Sequence, residues 1–251
     1  MLRNRLSILR SQFHGNELQV PCGPACKNLT TKECELKQQQ AIRGIARDLY
    51  DEAPPRIRAL QGLRPFICPF DDLIRWIPAK GRMLDIGCGA GLFLGLAGRS
   101  RHELRAIGFD ADASAIAAAQ TMARRYFPNG RIAFQHSAVG DPWPDGPFEL
   151  VSMIDVLHHI PPPAQRDAIA DAYSHVAPDG LFLYKDMADK PYFSAWWNRL
   201  HDIVVAKQWI HYRPIGQVQS WLEQAGGQIV QRSTRSMGPY RHEWIIVRRP
   251  G

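Results

Sequence analysis

No stretch of this 251-residue chain approaches the roughly 20 consecutive apolar residues that a membrane-spanning helix requires. The first 14 residues, MLRNRLSILRSQFH, are too interrupted by arginine to form the apolar stretch of a secretory leader. Export is therefore not expected, and a cytoplasmic location is. Cysteine is scarce, with five in the chain. Cys22, Cys26 and Cys34 lack the paired Cys-x2-Cys units of a zinc site and do not match the Cys-x3-Cys-x2-Cys run of radical enzymes. No metal is expected, and free thiols in a reducing compartment are the simpler reading. Repeats and low-complexity tracts are also missing, so solenoids and linker-like chains are excluded.

Charge is present but unevenly placed. The net +7 comes from residues 1–66, at +5, and residues 231–251, at +4, which leaves about −2 for the middle. A basic total can signal nucleic acid or anionic lipid. Here the excess sits at the ends, so peripheral contact with an anionic surface stays open. The central region shows no basic stripe of its own, and nucleic acid is not the expected partner.

Residues 1–40 show no sustained periodicity and read as an N-terminal arm: disordered, a weakly amphipathic surface helix, or sequence from a misplaced start codon. From about Gln39 the spacing of Ile42, Ile45, Ala46 and Leu49 predicts a helix, interrupted at Pro54-Pro55. A second helix is expected over Phe70–Ile77, so that residues 41–80 form helices covering the site. Strands and helices then alternate. Strands are expected at Met83–Gly87, Arg105–Asp110, Arg131–His136, Phe148–Val156 and Leu181–Met187. Helices follow the first two, a third opens at Pro161–Pro163, and another covers Ile215–Ala225. Gly227–Arg235 and Glu243–Arg248 close the pattern as adjacent strands turning at Gly238-Pro239. The order implies an α/β fold, a doubly wound, mostly parallel sheet with helices on both faces.

The chemistry concentrates in Asp85-Ile86-Gly87-Cys88-Gly89-Ala90-Gly91, where a buried strand enters a glycine turn. Glycine lets the backbone approach a ligand without a Cβ in the way. A dinucleotide site would carry its third glycine one position later, which is Leu92 here. Asp110 ends the second strand, where a carboxylate can accept both hydroxyls of a ribose or cap the next helix.

These segments, with Gly108-Phe109-Asp110, Phe148-Glu149-Leu150-Val151 and Asp155-Val156-Leu157-His158-His159-Ile160, resemble the ordered motifs of the class I S-adenosylmethionine-dependent methyltransferases. The resemblance covers roughly residues 66–250. It implies a Rossmann-like seven-stranded sheet ending in an antiparallel hairpin, with residues 81–251 as the methyltransferase domain. It also implies S-adenosylmethionine as cofactor and S-adenosylhomocysteine as product, lying over the ends of the first, second and fourth strands. The implied cofactor residues are Asp85, Gly87, Cys88, Gly89, Gly91, Asp110, Ala111, Ser137 and Asp155. Such enzymes often carry an acid after the third strand. Here His136-Ser137-Ala138 stands there, with no carboxylate until Asp141, so Ser137 or backbone groups are expected to substitute.

Asp155, His158 and His159 follow the fourth strand as candidate catalytic groups, since either histidine could take a proton near neutral pH. The alternative is that one histidine packs against the neighbouring helix and the other is solvated. Lys185 and Asp186 end the fifth strand, either facing the acceptor or forming an ion pair at the sheet edge. Residues 188–214 are too long for a structureless loop and read as an inserted aromatic lid. Lys185, Tyr192, Trp196, His211 and Tyr212 are the candidate acceptor contacts. The run Arg64-Pro65-Phe66-Ile67-Cys68-Pro69-Phe70, with Lys185-Asp186-Met187 and Asn198-Arg199-Leu200, is similar to bacterial enzymes that accompany fatty-acid- or polyketide-type biosynthesis. The expected acceptor is thus small and apolar, aromatic or lipid-like. Two other readings compete: a cofactor-binding module without turnover, and an RNA methyltransferase. The second lacks the Asn/Asp-Pro-Pro-Tyr/Phe tetrad after strand four, where Asp155-Val156-Leu157-His158 stands instead.

Overall fold

The computed structural model describes residues 31–188, 211–238 and 240–251. Seven strands form one sheet in the order β3-β2-β1-β4-β5-β7-β6. They are β1 (Lys80–Ile86), β2 (Glu103–Asp110), β3 (Ile132–His136), β4 (Phe148–Ile154), β5 (Val176–Met187), β6 (Gln228–Met237) and β7 (Tyr240–Arg248). The first five pair in parallel, and β7 lies antiparallel between β5 and β6. The expected fold class holds, including the antiparallel pair.

Side-chain parity explains the two faces. Met83, Leu181, Leu183 and Ile246 join one core, while Leu84, Ile86, Phe182, Tyr184, Ile245 and Val247 join the other. Successive strand residues point to opposite faces, so a continuous apolar run serves two layers at once. The first face is covered by α1 (Thr31–Leu49), α3 (Phe70–Leu73), α4 (Leu92–Ser100) and α5 (Ala113–Tyr126). The second is covered by α6 (Gln165–Ser174) and α7 (Ile215–Gln224).

Two local differences from the sequence reading matter. Helix α1 begins at Thr31, ahead of the expected start at Gln39, and so takes in the end of the expected arm. An unexpected helix, α2 (Pro55–Ile67), follows it. Helix α1 stops at Leu49, ahead of Pro54-Pro55, and the proline pair begins the second helix. Pro54 is extended (ψ 144°), as a residue before proline tends to be, and Pro55 occupies the first turn, where a missing N–H costs nothing.

The chain runs β1 to β2 to β3 on one side, then crosses over to β4 on the other side of β1. A crevice opens at such a reversal, outside the carboxyl ends of the strands. Register brings the ends together: Ile86 pairs with Phe109 on β2 and with Met153 on β4. The residues just after these strands therefore share one rim.

Candidate functional site

A cleft of about 1060 Å³ occupies this crevice, with Asp85, Gly87, Cys88, Gly89, Asp110, Ala111, Ser137, Asp155 and His159 among the residues lining it. Eight of the nine residues expected to hold the cofactor thus meet in one cavity. Gly91 stands just behind it. Among the described residues, no His/Cys/Asp/Glu group could hold a metal.

Asp85 is buried, and the Ser152 hydroxyl donates to its Oδ1 at 2.6 Å. Burial pushes its carboxyl up to about 7, against the pull of the Ser152 hydrogen bond and of Arg64, while the Asp110 charge adds to the rise. A buried acid poised this way fits a cationic ligand group, which would restore its charge.

Asp110 accepts from the Gly89 N–H at 2.7 Å and from the Asp112 N–H at 2.8 Å. The capping alternative belongs instead to Asp112, whose carboxylate accepts from the Ser114 and Ala115 N–H groups at the start of α5. Asp110 is thereby left to hold the glycine turn and face the cleft. Asp141 does not supply the acid absent after β3. Its Oδ2 accepts from the Ala138 N–H at 2.7 Å and from the Ser137 hydroxyl at 3.4 Å, which folds the loop.

Asp155 has φ +58°, a left-handed conformation uncommon outside glycine. Its N–H donates to the Lys185 carbonyl at 2.9 Å, and its carboxylate receives Lys185 Nζ at 2.5 Å. Burial pushes this carboxyl up, but Lys185 and Arg64 outweigh it and hold it well below the usual carboxylate range. Such a group is a poor proton acceptor, so the geometry argues against Asp155 as a base. Lys185 is fully buried on an interior strand, and the expected sheet-edge ion pair is instead an internal one.

The two histidines separate. His158 is buried, with Nδ1 2.6 Å from Asp186 Oδ1, and its ring packs 4.1 Å from that of His159 and 5.2 Å from that of Tyr212. His159 is exposed and lines the cleft. His211 donates its backbone N–H to the His158 carbonyl at 2.9 Å. Lys185, His211 and Tyr212 are not among the residues lining the cleft; Lys185 holds Asp155, which is, whereas His211 and Tyr212 pack on His158, which is not. Tyr192 and Trp196, with most of the expected lid, lie outside the described residues.

Sequence reasoning expected helices from residues 41–80 over the site but identified neither helix α2 nor the residues by which it forms one wall of the cleft. Ile57, Leu60, Gln61 and Arg64 of α2 line it, spaced three, four and seven positions from the first, on one helical face. The available signal was proline at the first helical position. Phe70 and Phe93, with ring centroids 6.0 Å apart, continue this wall.

A family model described as a methyltransferase domain matches residues 41–232. No curated protein sequence matches the chain. Among solved structures, an O-methyltransferase family protein from Burkholderia thailandensis is similar at 19% identity and a TM-score of 0.62, over 87% of this chain and 72% of that one. The magnesium protoporphyrin IX methyltransferase from Synechocystis PCC 6803, solved with bound SAH, gives 15% identity and a TM-score of 0.62 over 88% and 100%. A Burkholderia thailandensis 1,6-didemethyltoxoflavin-N1-methyltransferase, bound to 1,6-didemethyltoxoflavin and S-adenosylhomocysteine, gives 14% and 0.60 over 85% and 91%.

Proposed function

The chain belongs to the methyltransferase-domain family and is an S-adenosylmethionine-dependent methyltransferase, and on that premise we propose that it methylates a small apolar, aromatic or lipid-like acceptor lying against helix α2. The observation that carries this reading is the apolar wall of Ile57, Leu60, Phe70 and Phe93 in the same cleft as Asp85, Asp110 and Asp155. Solved relatives named for magnesium protoporphyrin IX and 1,6-didemethyltoxoflavin support the size class.

When bound, S-adenosylmethionine supplies a methyl group carried on a cationic sulfur. Asp85 would face the ligand's ammonium group, Asp110 would take the ribose hydroxyls, and Ala111 and Ser137 would border the base. The Gly89 backbone gives close approach. Much of the rate enhancement in such a transfer comes from holding the partners together and excluding water. Where the acceptor must lose a proton, His159 is the cleft histidine that can receive it. His158, held by Asp186, positions the turn that carries His159.

Cleft charge disfavours the RNA reading. Arg64 is the one Lys/Arg in the described lining, against Asp85, Asp110, Asp112, Asp155, Asp167 and Asp171. Phosphodiester recognition needs the opposite balance.

Asp110→Ala is expected to weaken S-adenosylhomocysteine binding by about ten- to a hundredfold, the scale of lost hydrogen bonds to a charged group. Calorimetric titration checks this, and unchanged affinity would remove Asp110 from the site. Turnover is tested by mass spectrometry of an acceptor panel for a 14-dalton gain that disappears with this variant.

Asp85 sets a pH dependence. Its carboxyl, raised to about 7 in the free protein, must ionise to meet an ammonium group. Binding then releases a proton, so affinity for S-adenosylhomocysteine should rise by up to about tenfold per pH unit on approaching 7 and flatten above it. In Asp85→Asn the slope should vanish. The stability sign is the reverse. Folding of the free chain is penalised increasingly as pH climbs from 3.8 toward 7, because the buried carboxyl resists ionisation.

A further inference from the structure

The Arg64 side chain is unlike the other charged groups of the site. Asp155 is already neutralised by Lys185 at 2.5 Å, and the Arg64 guanidinium stands at a looser 3.9 Å from its second oxygen. That guanidinium makes no hydrogen bond to a described residue, and the side chain keeps 34% of its exposure. It lies 5.9 Å from the Phe70 ring centroid, over the ring face, and lines the cleft beside Ile154 and Asp155 at the end of β4. An arginine fork without hydrogen-bond partners among the described residues, set against an aromatic ring on the apolar wall of the cleft, is built to receive an oxyanion.

Local charge agrees with this. Around Asp155, Arg64 and Lys185 outnumber the carboxylate by one positive charge, and Asp85, on which Arg64 also acts, would be met by the ammonium group of the cofactor. The remaining cleft acids belong to the cofactor half, at Asp85, Asp110 and Asp112, or to the α6 rim, at Asp167 and Asp171. Asp155 itself is a poor base, and His158 is buried. The acceptor half thus offers a cation and a short apolar row, with His159 as its proton-accepting side chain.

We propose that Arg64 is the acceptor-positioning residue and that the acceptor presents an ionised oxygen, a carboxylate or a phenolate, to its guanidinium, with the apolar remainder along Leu60 and Ile57. This rests on the methyltransferase reading of the cleft. The acceptor oxygen forms a bond to the methyl carbon as the carbon–sulfur bond breaks, and the electron pair of that bond stays on sulfur. The acceptor arrives already ionised, so no proton has to be removed in the step. Arginine holds the ground-state anion at least as firmly as the more diffuse transition state, so its effect falls on acceptor affinity more than on the maximal rate.

The test measures binding to the full chain saturated with S-adenosylhomocysteine, at pH 8, with two matched pairs: octanoate against octanamide, and 4-nitrophenolate against 4-nitroanisole. At least one ionised probe should bind about tenfold or more tightly than its neutral partner, and the pair showing this separates a carboxylate acceptor from a phenolate one. Arg64→Met should abolish the preference, and Arg64→Lys should keep part of it, since lysine supplies the charge without the fork. Cooperative unfolding and saturable S-adenosylhomocysteine binding in both variants show that the fold and the cofactor half persist, and each variant is compared at its own saturation because Arg64 also acts on Asp85. Equal binding within each pair, no binding of either anion, or a preference that survives Arg64→Met overturns the proposal. Failure of the wild-type chain to bind S-adenosylhomocysteine overturns the underlying reading instead.

Discussion

Gly91→Ala should lose about 3–5 kcal/mol of stability, whereas Gly89→Ala should stay folded and lose cofactor binding. All the glycines of the turn have positive φ, at 65°, 54° and 82° for Gly87, Gly89 and Gly91. That conformation alone costs an alanine about 1–2 kcal/mol. What a Cβ would meet differs sharply. At Gly91 it would fall 2.4 Å from the Phe134 ring and 3.1 Å from Ala119, inside the packing of α5 on β3. At Gly87 it would fall 2.4 Å from Val156. At Gly89 nothing lies within 4 Å, and the residue lines the cleft. The outer glycines therefore serve the fold, and the middle one serves the ligand. Urea melts and titration with S-adenosylhomocysteine separate the two roles. Equal destabilisation by Gly89→Ala and Gly91→Ala would refute the division, as would wild-type affinity in Gly89→Ala.

Lys185→Met should cost about 2–4 kcal/mol, because it strands a half-buried carboxylate whose nearest remaining cation is Arg64 at 3.9 Å. The added Asp155→Asn substitution should recover most of the loss, since removing both charges is far less costly than removing one. Asp155 also contributes through pH. Its folded carboxyl lies below the unfolded value of 3.8, so its stabilisation is present at neutral pH and is lost as the medium becomes more acidic than that. Chemical denaturation of the two single variants and the double variant closes the cycle. A loss under about 1 kcal/mol for Lys185→Met would mean that water reaches the pair and screens it.

The order of strands and the position of the site were legible in the sequence because they rest on short-range rules. Apolar runs bounded by turn residues gave β1 to β5, the alternation of strand and helix gave the doubly wound sheet, and the family resemblance implied which strand ends carry the site. Asp85 and Asp110 followed from their places at strand ends. The partition of roles within each motif was not legible, since it depends on neighbours distant in the chain. Nothing near Gly87 announces Val156, and nothing in His158-His159 says that Asp186 takes the first and the cleft the second. Helix α2 was hidden by its own start signal, because two prolines after a helix read first as a stop. Arg64 stood in a quoted motif, but its place in the cleft stayed hidden with the helix. Lys185 read as an acceptor contact or a sheet-edge ion pair because lysine is rarely fully buried, and β7 beyond it places it inside.

The placement of β7 also bears on how the sheet assembles. It is synthesised after β6 yet lies between β5 and β6, paired through Leu181–Met187 on one side and Gln228–Met237 on the other. Until it emerges from the ribosome, β5 presents a bare row of backbone donors and acceptors, flanked by apolar residues such as Phe182 and Leu183. The sheet cannot be completed by local zipping. It must wait for a late, non-local insertion, the kind of step that slows folding and leaves an adhesive edge exposed in the meantime.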